Sequence, residues 1–284
     1  MAAPSSQSAP RANPSVAALL TWLVPGAGHV YAGVPVLGAI GFVLVVGLFG
    51  AGFLLSDGRM WEFLSAELRG PYATLLAPEA GSLGGWLTIR ELRGYGPPYP
   101  REFPGTIHLG SMLLAASGVM NACLMASAHF AARRPVEGAS LAPKIDPGMA
   151  TFCGFLLPGL GHFLQGRKRR ALLVGGLLIG FFLLGTVLAE GTNLSRESHF
   201  YYWSGQIFLG LPAMLTELAL GSPPLTGPIR FEQVGLLFAS LAGLLNVLAM
   251  LDVYAWRDDQ AMGRDPVLAR RKAKAAKPAK GAAK

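Results

Sequence analysis

Two short motifs hold the residues with the most chemical potential. Residues 25–33 read Pro-Gly-Ala-Gly-His-Val-Tyr-Ala-Gly, and residues 158–166, 133 positions later, read Pro-Gly-Leu-Gly-His-Phe-Leu-Gln-Gly. Five positions coincide: Pro25/Pro158, Gly26/Gly159, Gly28/Gly161, His29/His162 and Gly33/Gly166. In each copy a proline removes a backbone donor and interrupts a helix. Two glycines then allow the backbone angles of a sharp turn, an imidazole follows, and Gly33 or Gly166 closes the motif. His29 and His162 can cap carbonyl or amide groups freed by the break. Were both breaks to meet in space, they could instead form a paired-His metal or haem site or a proton relay. No carboxylate is adjacent to either histidine in sequence. Capping is the expected role, and neither a metal nor a cofactor is expected.

Three further polar residues fall inside apolar stretches. Asn121 and Asn246 occupy matching positions, and an amide in lipid needs a partner. They can bond each other or a neighbouring backbone group, and are expected to join the two halves of the chain. Asp252 lies near the end of its segment, where it can reach toward Arg257 at the membrane surface. Alternatively it stays buried and marks a functional centre, since intramembrane ionisable residues are usually functional. No G-x-S-x-G, H-E-x-x-H or phosphate-cradling glycine loop occurs, so no catalytic residues are assigned and an enzyme is not expected.

The elements that must position these residues are membrane helices. Of 284 residues 52% are hydrophobic and only 14% charged, against about 25% charged in a soluble domain. The apolar residues form long runs. Val34–Leu55 has no charge and is long enough to span the ~30 Å hydrocarbon core. Ile107–Ala132, Met149–Leu164, Ala171–Ala189 and Val234–Leu251 are similar.

The chain is duplicated. The 133-residue offset also pairs Gly52 with Gly185, Asp57 with Glu190 and Gly58 with Gly191. At an offset of 125, Gly110, Gly118, Asn121 and Met125 pair with Gly235, Gly243, Asn246 and Met250. The expected organisation is an N-terminal tail (1–14), a first membrane repeat (15–134), a cytoplasmic linker (135–146), a second repeat (147–258) and a basic tail (259–284). The fold class is all-α, a polytopic helical membrane protein with four full crossings (34–55, 108–132, 171–189, 232–256) and two short Pro-broken helices. Its halves run parallel, with 57–107 and 190–230 on the opposite surface, although the apolar stretch Phe200–Leu220 could be an extra membrane-dipping element. The competing arrangement has six crossings and inverted halves. Small residues four apart (Gly47/Ala51, Gly176/Gly180, Ala239/Gly243) suit close helix packing, within the chain rather than between copies.

Charge sets the orientation. Arg270–Lys284 holds seven basic and no acidic residues, and Arg167, Lys168, Arg169 and Arg170 form a second cluster. Both are expected on the cytoplasmic side of a cell (inner) membrane, touching anionic headgroups. Without aromatic interleaving, the tail is not expected to bind nucleic acid. Both tails are low in complexity and are expected to be disordered. Cys123 and Cys153 lie in apolar segments and are read as reduced and structural. The apolar stretch from Val16 invites a signal-peptide reading, but its recurrence mid-chain argues that it stays in the mature protein.

The motifs at 25–33 and 158–166 resemble, distantly, the Gly-x-Gly-x-His/Phe-Tyr-x-Gly signature of the two-transmembrane-helix domain. The ending Gly-Leu-Leu-Asn-Val-Leu-Ala-Met-Leu-Asp-Val-Tyr-Ala-Trp-Arg-Asp (243–258) is similar to that of an uncharacterised family of duplicated bacterial membrane proteins. The first half departs from that ending, with Ser127 where the second has Asp252. The resemblance implies a multi-pass bacterial membrane protein and supplies no reaction. A non-enzymatic scaffold or assembly factor with membrane-protein partners is the expected function. The alternatives are a small-solute or ion transporter and a metal- or haem-binding membrane enzyme.

Overall fold

A computed structural model describes residues 12–59, 77–81, 102–133, 145–221 and 227–262. The basic tail beyond 262, the N-terminal tail, most of the linker and much of 57–107 lie outside the described residues. Ten α-helices are present and no strand among the described residues. They are α1 (Pro14–Leu23), α2 (Ala27–Tyr31), α3 (Pro35–Leu55), α4 (Ile107–Ala132), α5 (Pro147–Leu156), α6 (Leu160–Leu164), α7 (Lys168–Leu188), α8 (Phe200–Gln206), α9 (Leu211–Leu220) and α10 (Glu232–Ala261). Among the described residues, α3, α4, α7 and α10 are the helices long and apolar enough to cross a membrane.

α1 and α5 have ten residues each, about 15 Å of helix, half the thickness of a hydrocarbon core. Each enters and returns. The Ala12 amide bonds the Ala132 carbonyl at the C-terminal end of α4, Thr21 lies abreast of Asn121, and on the way back His29 meets Ser127. α5 and α6 repeat the path beside α10, with Gly154 abreast of Asn246 and His162 abreast of Asp252. Both hairpins therefore start and finish at one end of the bundle, here the linker end. Arg133 and Asp258, at the C-terminal ends of α4 and α10, form an ion pair at 2.6 Å, so the halves run parallel. The six-crossing, inverted alternative is overturned: the proline breaks are turns inside the bundle, and the segments before them are too short to span.

The turn at each break depends on glycine. Gly26 and Gly159 have φ of 81° and 86°, a region that costs L-residues strain. Gly28 and Gly161 press on the Ala17 and Ala150 carbonyls. At the far ends of α3 and α7, Asp57 and Glu190 also take positive φ, followed by Gly58 and Gly191. The Gly58 and Gly191 amides close back on the Phe53 and Thr186 carbonyls, stopping both helices in the same way.

From the opposite end, the loop end, one segment per half descends into the bundle. Pro78–Gly81 lies against Gly118 at the middle of α4, and α8 with the 3₁₀ turn Ile207–Leu209 lies against Gly243 at the middle of α10. The expectation of surface pieces over 57–107 is thus corrected for Pro78–Gly81, while Phe200–Leu209 takes the dipping course open to the apolar stretch Phe200–Leu220. The physical reason is the glycine at each contact, which lets backbone touch backbone. The halves meet at this level through an apolar cluster of Met112 and Ala115 with Trp203 and Ile207, and through an ion pair: Arg196, stacked over Trp203, donates to Glu79 at 2.7 Å with both side chains buried.

The small-residue pairs divide. Ala239 is buried against Phe182 and Leu194, and Gly243 meets Gly205, as packing within the chain requires. Among the described residues, Gly47, Gly176 and Gly180 instead have no neighbour near a notional Cβ, and they lie on the outer faces of α3 and α7. The within-chain expectation is corrected for those two pairs.

Candidate functional site: two histidine latches and a seam between the halves

Each proline break leaves one carbonyl without its helical partner. The Thr21 carbonyl would accept from the amide of residue 25 and the Gly154 carbonyl from residue 158, but both positions are proline and have no N–H. Buried carbonyls at membrane depth need a donor. Asn121 Nδ2 donates to the Thr21 carbonyl at 3.2 Å, and Asn246 Nδ2 to the Gly154 carbonyl at 3.0 Å. The second amide hydrogen of each goes to the segment descending from the loop end, at the Gly81 and Phe208 carbonyls (both 2.9 Å). Each asparagine therefore replaces a proline's missing donor and holds two opposed segments together within its own half. The expectation that the pair joins the halves is corrected.

The last glycine of each motif stands apart from the site. Gly33 and Gly166 are exposed, and nothing lies within 4 Å of a Cβ added at either. Each closes its motif as a helix stop and touches none of the site's polar side chains. The physical reason is backbone conformation. With φ of 78° and 79°, Gly33 and Gly166 end α2 and α6 in the left-handed turn that glycine adopts without strain. Their amides close on the Val30 and Phe163 carbonyls, and the Val34 and Arg167 amides reach back to the His29 and His162 carbonyls. The two glycines thus act on the histidines' backbone alone, by turning the chain out toward α3 and α7.

The histidines do not cap the turns either. His162 Nε2 lies 3.0 Å from Asp252 Oδ2, which also accepts from Arg167 at 2.6 Å and Arg170 at 3.0 Å. That oxygen is acceptor only, so the ring donates from Nε2. Asp252 pairs with these groups and not with Arg257, whose side chain bonds Gln260. In the first half Ser127 takes the place of Asp252. His29 Nε2 lies 3.0 Å from Ser127 Oγ, which lies 3.0 Å from Asp146 Oδ1. The serine proton must go to the carboxylate, so His29 donates to Ser127. Asp146, the N-cap of α5, thereby supplies one residue removed the carboxylate that Asp252 supplies directly. Sequence adjacency hid both carboxylates, and only the register between α2 and α4 and between α6 and α10 reveals them. Ser127 is buried, accepts from His29 and donates to Asp146, which latches the two together.

Both rings lie on short helices outside the four spans. Burial pushes His29 and His162 below their ordinary value, outweighing Asp146 for His29 and the Asp252 hydrogen bond for His162. The folded protein thus binds fewer protons there than the unfolded chain, which titrates near 6.5. Their contribution to stability is fully present above that pH and is lost as pH falls through the lowered folded values. Thermal unfolding in detergent should show the midpoint falling from about pH 7 to about pH 5, with the slope reduced in a His29→Gln/His162→Gln variant. An unchanged slope would remove the histidines from this role.

His29 and His162 are each held by their own half. Among the described residues no group of three His, Cys, Asp or Glu side chains is placed to hold a metal ion. Cys123 is buried and Cys153 partly so, both as free thiols. In the basic cluster Arg167 turns inward, over Trp256 and onto Asp252, while Lys168, Arg169 and Arg170 stay exposed.

A last set of polar residues joins the halves at the linker end. Arg133 pairs with Asp258, and His129 Nδ1 lies 2.6 Å from the Tyr254 hydroxyl. Position 133 corresponds to 258 and position 129 to 254 at the 125-residue offset, so each pair joins equivalent positions and lies on the pseudo-twofold axis. The sequence patterns gave no pairing among these four residues, although the repeat offset pairs them once the halves are known to be parallel.

One family model matches the chain, over residues 16–138 and again over 149–266: a family of unknown function (DUF6677). No curated protein and no solved structure matches.

Proposed function

The chain belongs to that family, DUF6677, and from this premise we propose that it is a non-enzymatic membrane scaffold or assembly factor. One observation carries the reading: both Gly/Pro breaks are packed shut inside their own halves. A transporter that used them would turn the broken segments toward a shared path. Here Gly26 meets Gly38, Gly159 meets Ala171, and the polar groups are consumed locally by Asn121, Asn246, Ser127 and Asp252. The outer faces of α3 and α7 carry Gly47, Gly176 and Gly180 with no close neighbour among the described residues, which supports close approach by helices of membrane-protein partners. Arg133, Lys168, Arg169 and Arg170 gather at the linker end. By the positive-inside rule this supports a cytoplasmic side for that end, the basic tail included, in the cell membrane, with anionic headgroups as partners.

The test is flux and cross-linking. Purified protein in liposomes should pass no ions or small solutes above the rate of empty vesicles. A Gly180→Cys variant, in a chain lacking Cys123 and Cys153, should cross-link in the membrane to one discrete helical partner or a second copy. Solute-selective flux would overturn the reading.

A further inference from the structure

The repeat symmetry fails in one place, and the failure opens a groove. α5 packs on both α4 and α10, with Gly148 against Ser127 and the Cys123 carbonyl, and with Asn246 bonded to Gly154. The symmetry-related helix α1 packs on α4, while no comparable contact joins it to α10 among the described residues. The space left between α1, α4 and α10 is a cavity of about 680 Å³, within the ~300–1,000 Å³ of ordinary ligand sites. Its walls are apolar, including Ala18, Ala122, Ala126, Val247 and Leu251. It starts beside Gly118 at mid-bundle and reaches His129 and Tyr254 at the linker end. That stretch of α4 rises about 16 Å, the depth of one leaflet.

The polar groups are at the linker end of the groove. Arg133 can only donate, so its contact with His129 Nε2 at 3.4 Å makes that nitrogen the acceptor. His129 then carries its proton on Nδ1 and gives it to the Tyr254 oxygen at 2.6 Å, which leaves the Tyr254 hydroxyl proton available to an incoming acceptor. The Arg133 guanidinium, about a quarter exposed and fixed by Asp258, lies one turn beyond His129. An apolar trough one leaflet deep, ending in a hydroxyl donor and an arginine, matches an acyl chain with a phosphate at its head.

We propose that the groove between α1, α4 and α10 binds one phospholipid of the linker-end leaflet, its acyl chain along Ala122 and Ala126 and its phosphate at Arg133 and Tyr254. The site is independent of the scaffold reading, because a transporter could also hold such a lipid.

The experiment is native mass spectrometry of the full chain, delipidated in detergent and titrated with phosphatidylglycerol, with diacylglycerol of the same chains as the arm lacking phosphate. One phosphatidylglycerol should bind per protein, at least about tenfold more tightly than diacylglycerol. Ala126→Phe, which fills the trough, should weaken phosphatidylglycerol binding about tenfold or more, and Arg133→Gln should bring it to the diacylglycerol level. Leu172→Phe, at an exposed position of α7, should bind as the parent does and serves as the control for nonspecific lipid. Ala126→Leu, a smaller filling, covers the case in which Ala126→Phe fails to fold. Equal binding of the two lipids, or unchanged binding in the filled variants or in Arg133→Gln, would overturn the proposal.

Discussion

Replacing Asn246 with leucine is expected to destabilise the protein by about 1–3 kcal/mol, measured by reversible unfolding in mixed micelles. The Gly154 carbonyl loses the donor that offsets the missing N–H of Pro158, and the Phe208 carbonyl loses its donor too. Membrane hydrogen bonds average well under 1 kcal/mol, because the unfolded chain in lipid finds other partners. Two acceptors stranded together at mid-bundle place this site toward the high end. The diagnostic result is a rescue. In the Asn246→Leu background, Pro158→Ala returns an N–H to the position four residues after Gly154 and should recover part of the loss. In the parent chain the same change should bring no such gain, because the carbonyl is already satisfied. Absence of rescue would mean that the asparagine and the proline are not coupled. The first half should behave alike through Asn121, Thr21 and Pro25.

A larger effect is expected from adding one methyl group at Gly118. A Cβ there collides with the Pro78 carbonyl, which is backbone and cannot swing aside. Gly118→Ala should therefore displace the Pro78–Gly81 segment from the middle of α4, with a loss of about 3 kcal/mol or more. The Asn121 bond to the Gly81 carbonyl would break with it. Gly243→Ala should act likewise against Gly205. The contrast is Gly176→Ala on α7, where nothing lies near the added carbon. There alanine's better helix propensity should leave stability unchanged or raise it by up to about 1 kcal/mol. Equal effects at Gly118 and Gly176 would mean that the descending segment does not pack as described.

The large-scale plan was legible because lipid enforces it. Hydrophobic length gave the four spans within a few residues, and the repeat offset gave equivalent positions before any geometry was known. The Pro-Gly-x-Gly-His break was also visible, as was its conversion of a short apolar helix into a returning hairpin. What stayed hidden was pairing between elements. Nothing local to Pro158 says that its absent amide is supplied from Asn246, on a helix far along the chain, although both residues were singled out. Similarly, the carboxylates serving the histidines lie at Asp252 and, through Ser127, at Asp146, separations that only helix register resolves. Gly166 drew attention because it recurs with the histidine, yet a glycine that stops a helix recurs for the same reason as one that builds a site. The descent of Pro78–Gly81 was missed because its signal is a single glycine on another helix. The outward Gly47 and Gly176 were misjudged because a small residue reads the same on either face of a helix.

The pairs at Arg133–Asp258 and His129–Tyr254 have a consequence for how the two halves can be combined. Positions on a twofold axis meet their own equivalents. In an assembly of two identical repeats, an arginine at 133 would face an arginine, and an aspartate at 258 an aspartate. Like charges there would push such a pair apart, whereas one of each attracts. Joining two copies in a single chain lifts the requirement that axial residues be self-compatible, and these two pairs have diverged into complementary partners. The halves are consequently no longer interchangeable: each has become a lock cut for the other and a poor fit to itself.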